Sequence, residues 1–161
     1  MLAGEDMAKT EAAFRFRAAV QPSDCLPVSK RDLTQFEAGA KAWARAIEVA
    51  KLLLEDLSFV QTDDCFMIAE LIEYEAMGLT PRGRGARPAL EGWTQPDGKL
   101  PVNPSDGLKA KGHPIGATRV SMHVLPAMQL LGEAGDMQLP RADVAGVLNI
   151  AGTAVANYVS I

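Results

Sequence analysis

Residues 103–118, NPSDGLKAKGHPIGAT, constrain the fold more than any other part of the chain. Three glycines and two prolines in this stretch (Gly107, Gly112, Gly116, Pro104 and Pro114) exclude a regular helix or strand through its middle. A segment of this kind follows an irregular path and must be held in place by its neighbours. An apolar helical pattern follows over about 117–131, so His113 falls just ahead of a helix N-terminus, wedged between Gly112 and Pro114. The partial positive charge of a helix N-terminus favours an uncharged imidazole, which suits a general base. On residue chemistry alone, a glycine-rich loop with an incidental histidine remains an open reading.

The elements around this stretch alternate in type. Thr34 and Glu37 stand at capping-box spacing, and Phe36, Ala40, Trp43, Ala44, Ile47 and Leu54 then recur at helical period, which predicts a helix starting near Thr34. A short strand is predicted over 57–62, a helix over 66–77 with Gly78 as its C-terminal stop, and a long loop over 79–100. Two valine-rich runs, 144–150 and 153–160, flank Ala151-Gly152 and predict a closing antiparallel hairpin. The expected fold class is α/β, a mixed sheet of about four to five strands with helices on its faces. Residues 1–29 read as a leader of uncertain order with a possible short helix over 8–20, and 30–161 as the domain proper.

The chain has 161 residues, 48% of them hydrophobic, and a net charge of −4. That length fits one domain. An acidic balance argues against a nucleic-acid groove, and no apolar run reaches the roughly 18 residues of a membrane span. No N-terminal apolar core marks a secretory signal, and Cys25 and Cys65 form no disulfide framework, so a reducing cytoplasmic setting is expected. No metal-ligand spacing and no site for a tightly bound cofactor is predicted.

A second informative stretch is TDDCF, residues 62–66, at a predicted strand-to-helix junction. A helix N-terminus lowers a thiol pKa, whereas the carboxylates Asp63 and Asp64 raise it. Two readings stay open for Cys65: a functional thiol, or a small buried side chain beside a capping aspartate. His123, within the helix that follows Gly116, reads as structural, and Trp93 as a packing anchor.

Taken together, these motifs resemble the thiolases. The stretch 103–118 is similar to the family's Asn-Pro-Ser-Gly-Gly and Gly-His-Pro-Ile-Gly-Ala-Thr-Gly signature. TDDCFMIAELIEYEAMGL resembles the His-Asp-Cys-Phe loop and helix of the sterol-carrier-protein-type group, and NIAGTAVANYVSI resembles its last two strands. The resemblance covers about 29–161. It implies the C-terminal half of a two-half acyl-CoA acyltransferase fold, similar to acetyl-CoA acetyltransferase, with a coenzyme A thioester as substrate. It implies that His113 activates a cysteine supplied by the N-terminal half, that Cys65 is the acid/base cysteine, and that Asn103, Gly107, Gly112 and Gly116 shape the substrate pocket.

The departures from the family pattern are informative. Asp63 stands where the family has an oxyanion-hole histidine. An ionised Asp63 only accepts hydrogen bonds and repels developing negative charge, while a protonated one could still donate. Asp106 and Arg119 replace glycines, with strain expected if either position needs φ > 0. Pro126 falls inside a helix, and Lys51-Leu52 occupies a helix end where a capping glycine is expected.

No stretch resembles the half that bears the nucleophile, and Cys25 lacks a glycine-built elbow, so the isolated chain is expected to be inactive. The expected partner is a thiolase N-terminal half or a second copy of the chain. The alternatives are a non-catalytic acyl-CoA-binding or oligomerisation module, or a truncated relative without activity.

Overall fold

The computed structural model describes residues 13–161. Strand β1 (Ala19–Val20) leads into helix α1 (Glu37–Ala50), strand β2 (Phe59–Thr62) and helix α2 (Met67–Ala76). Two five-residue helices, α3 (Ala86–Leu90) and α4 (Gly107–Lys111), precede helix α5 (Thr118–Leu130) and the closing strands β3 (Ala145–Ala151) and β4 (Ala156–Ser160). The four strands form one mixed sheet in the order β1-β4-β3-β2. β2 runs parallel to β3, and the other two pairings are antiparallel. The predicted mixed sheet and closing hairpin are both present.

The pleat of β3 divides the molecule. Leu148 and Ile150 join Trp43, Ala46 and Val159 in the core beneath α1, while Asn149 between them faces α5. Gly146 admits the Trp43 ring, since a Cβ there would lie 2.7 Å from it. Helices thus cover both faces of the sheet.

Several local expectations are corrected. Thr34 does not cap α1. Its amide and hydroxyl both donate to Asp32 Oδ1, at 2.9 and 2.6 Å, and the helix begins at Glu37 with no side-chain cap. A nearer acceptor captured the residue that capping-box spacing had assigned elsewhere. The helix ends at Ala50, short of Leu54, through Lys51 in left-handed conformation (φ 56°), with the Leu52 amide reaching Ile47 O at 3.1 Å. A lysine therefore occupies the position where glycine is preferred.

Of the helix considered over 8–20, residues 8–12 lie outside the described part. The rest is not helical: Arg17 and Ala18 donate to Ile161 O, and Ala19–Val20 pairs with β4. The long loop contains α3, and the glycine-rich stretch contains α4. Gly78 ends α2 as expected, with φ 78°. Asp106 adopts the strained conformation anticipated for it (φ 64°), whereas Arg119 lies in the first turn of α5 and carries no such strain. α5 accommodates Pro126 as a buried residue.

Candidate functional site

Three segments converge on one cavity of about 790 Å³. The turn between β2 and α2 brings Asp63 and Cys65, the loop after α4 brings His113, and the C-terminal end of β3 brings Asn149. Its walls are otherwise largely apolar: Phe36, Ile68, Ile72, Ile115 and Val120 among them.

One carboxylate links two of these segments. Asp64 accepts the Leu108 amide at 2.6 Å and the Lys109 amide at 3.4 Å, and Lys109 Nζ lies 3.6 Å away. The unsatisfied N–H groups that open α4 thus find their acceptor more than forty residues back in the chain. Gly107 makes this approach possible. It sits at φ 68°, and a Cβ there would fall 2.2 Å from Asp64 Oδ2. Asp64 thereby ties the Cys65 turn to the segment that carries His113.

The His113 ring is held through its Nδ1, which lies 2.9 Å from Thr118 Oγ1. The same hydroxyl lies 3.1 Å from Pro114 O. Pro114 O already accepts the Ala117 and Thr118 amides, at 2.7 and 2.9 Å, so the hydroxyl proton can serve either contact. With that proton on Pro114 O, His113 donates Nδ1–H to Thr118 and Nε2 is the basic nitrogen; with it on His113 Nδ1, the roles reverse.

Asp63 is 1% exposed and its Oδ2 accepts the Asn149 amide at 2.6 Å, while Oδ1 is buried without a hydrogen-bond partner. Burial raises its carboxyl above the ordinary range, and the Cys65 thiol and the His113 charge offset part of this. The orientation of Asn149 is set from its other side, where Arg119 Nε donates to Oδ1 at 3.1 Å. Burial, then the Asp63 carboxylate beside it, push the Cys65 thiol up to about 12, so Cys65 is a protonated thiol at neutral pH.

Behind these groups lies Glu73, fully buried, with neither carboxyl oxygen partnered. Burial pushes its carboxyl well above the usual range. The Asp63 carboxylate and the other nearby carboxylates add to the shift.

The family described as thiolase C-terminal domain-like matches residues 21–161. The chain belongs to the thiolase C-terminal domain-like family. It is 38% identical over 156 residues to the acetyl-CoA acetyltransferase of Methanothermobacter thermautotrophicus, covering 95% of this chain and 41% of the relative. It is 42% identical over 115 residues to sterol carrier protein 2 of Bos taurus, covering 71% of this chain and 21% of that protein. The solved structure of an Ltp2-ChsH2(DUF35) aldolase superposes with a TM-score of 0.71 at 20% identity, over 88% of this chain and 37% of that one, a likeness of fold. This thiolase C-terminal-like domain therefore spans about two-fifths of the archaeal relative and about one-fifth of the bovine one.

Within this thiolase-like domain, His113, Cys65, Asp63 and Gly116 line the cavity, whereas Asn103, Gly107 and Gly112 do not. Asn103 instead braces the sheet. Its Oδ1 accepts the Thr62 amide and its Nδ2 donates to Thr62 Oγ1, both at 2.9 Å. Cys25 is exposed and lies outside the cavity.

Asn149, Arg119 and Thr118 are site residues that sequence reasoning did not select. A lone asparagine in the apolar run AGVLNIA was the available signal for the first. His123 is structural as expected, donating Nδ1–H to Arg119 O at 2.6 Å and meeting Ser160 Oγ at 3.0 Å. No cluster of metal-ligating side chains occurs among the described residues, and none of their helices is long and apolar enough to cross a membrane.

Proposed function

We infer that this domain is the histidine-bearing half of an acyl-CoA acyltransferase site of thiolase type. The observation that carries this reading is the pairing, on one largely apolar cavity, of an imidazole held through its Nδ1 and a thiol kept protonated. In the proposed reaction His113 Nε2 takes the proton from a nucleophilic cysteine outside these 161 residues, supplied by a thiolase N-terminal half. Cys65 moves the proton at the substrate carbon. Asn103 and Gly107 act indirectly, by bracing β2 and by admitting Asp64, Gly112 turns the chain at φ 93° just ahead of His113, and Gly116 lines the acyl pocket. A coenzyme A thioester is the substrate, and no tightly bound cofactor is needed.

The exposed side chains Phe66, Ile68, Ile115 and Val120 at the cavity support docking of that second half, or of another copy. The test is thiolysis of acetoacetyl-CoA by the chain alone and after mixing with the N-terminal half of the archaeal relative. Turnover is expected only in the mixture, and His113→Ala should abolish it. Turnover by the chain alone that survives His113→Ala sinks the reading.

A second reading, a non-catalytic acyl-CoA-binding or assembly module, is favoured by one observation: a buried carboxylate, Asp63, occupies the position where the family carries an oxyanion-hole donor. In the mixture, Asp63→His should raise the rate, because a histidine there can accept from Asn149 Nδ2 and present its remaining N–H to the substrate oxygen. Binding of acetyl-CoA without turnover in either protein would decide for this second reading.

A further inference from the structure

We propose that Arg119 makes the cavity a receptor for a carboxylate, so that the preferred acyl-CoA carries a free carboxylate in its acyl part. The proposal rests on the acyl-CoA reading above and adds the chemical class of the acyl group.

Arg119 is the second residue of α5 and lines the cavity beside His113 and Asn149. Its guanidinium is pre-positioned at two points. Nε donates to Asn149 Oδ1 at 3.1 Å, and the guanidinium carbon stands 5.2 Å from the centroid of the Tyr158 ring. Its charge is not used internally: Arg119 joins no ion pair among the described residues, and its two terminal nitrogens make no hydrogen bond there. Asn149 stands between Arg119 and Asp63, giving one amide group to each, so the two charges are held apart.

A fixed guanidinium in a largely apolar wall discriminates between ligands. An uncharged acyl chain filling the cavity would strip water from the terminal N–H groups and return nothing. A carboxylate restores those hydrogen bonds, two at once and with opposite charge. The phosphates of coenzyme A are poor candidates for this place. Arg119 shares the cavity with His113 and Cys65, which are read as acting at the thioester, whereas the phosphates lie at the far end of the pantetheine arm.

The experiment compares binding of succinyl-CoA and butyryl-CoA, acyl chains of equal length, by calorimetry on the chain. Succinyl-CoA is expected to bind about tenfold tighter or better. Arg119→Gln, which keeps a good helix former, should bring the two affinities together, and Arg119→Lys should keep part of the preference. Equal affinities in the parent chain, or a preference that survives Arg119→Gln, overturn the proposal.

A second measurement separates this from the acyl-CoA reading itself. In a nitrogen-15 NMR titration of the Arg119 Nε–H, butyrate should move the signal and 1-butanol should not. If neither thioester binds but butyrate moves the signal, the carboxylate site stands and the acyl-CoA reading fails. If butyrate leaves the signal unmoved, the carboxylate site is refuted.

Discussion

Thr118 Oγ1 lies 2.9 Å from His113 Nδ1 and 3.1 Å from Pro114 O, so one hydroxyl bridges the imidazole and the turn before α5. The place of its proton decides which nitrogen of the imidazole is basic. Thr118→Val keeps the shape of the side chain but removes the hydroxyl, so the balance between the two neutral tautomers is expected to shift. Thr118→Ser should restore the parent state. Long-range nitrogen–proton NMR spectra distinguish the two tautomers directly. A valine variant with the parent His113 pattern would remove Thr118 from the site.

The two cysteines are expected to differ sharply in reactivity. Cys65, raised to about 12 by burial and the Asp63 carboxylate, carries almost no thiolate at about pH 8. Cys25 is exposed. Brief treatment with iodoacetamide at about pH 8, followed by peptide mass spectrometry, should label Cys25 and spare Cys65. Asp63→Asn should increase labelling of Cys65, because one of the groups holding its proton is then gone. Equal labelling of both thiols in the parent chain would contradict the site electrostatics.

Glu73 is a source of instability at neutral pH. Its carboxyl is buried without a partner and is raised well above its ordinary value. The folded state therefore binds this proton more tightly than the unfolded chain. The associated stability is fully present below the unfolded carboxylate value and is lost as pH rises through the raised one. Glu73→Met should accordingly stabilise the fold by about 1–3 kcal/mol near pH 8, with the gain shrinking toward about pH 4. Thermal melts across that range test both the sign and the trend. A gain that does not depend on pH would show that packing alone is responsible.

Two backbone positions should respond in opposite directions. Gly107→Ala places a Cβ 2.2 Å from Asp64 Oδ2 at φ 68°, and a loss of about 2–4 kcal/mol is expected. Lys51→Gly relieves a left-handed lysine at the end of α1 and should gain about 0.5–1 kcal/mol. Denaturant midpoints at constant slope would measure both.

The parts of the fold that were legible in the sequence are those written in local chemistry. The β3–β4 hairpin follows from two valine-rich runs around Ala151-Gly152, and the end of α2 follows from Gly78. The parts that were not legible depend on partners distant in sequence. Helix α4 depends on Asp64 to accept its first amides, a bond that spans 44 positions. Strand β1 is two residues long and exists only because β4 offers it an edge. In the site, His113, Cys65 and Asp63 could be named from motifs. Arg119 was expected to carry strain as a replaced glycine. Its actual place, bonded to Asn149 and over Tyr158, depends on strands thirty or more residues further along the chain.

Among the described residues, neither side of the sheet offers a long free edge strand. Beyond β2, the Val60 amide donates to Pro101 O, Val60 O accepts the Asn103 amide, and the Asn103 side chain satisfies Thr62, so that edge is occupied. At the other side the edge strand is two residues long and is followed within two positions by Pro22. A second polypeptide therefore gains little purchase by adding a strand. If a second half docks at the cavity as proposed, its recognition would rest on side chains around Phe66 and Ile115 and not on backbone pairing.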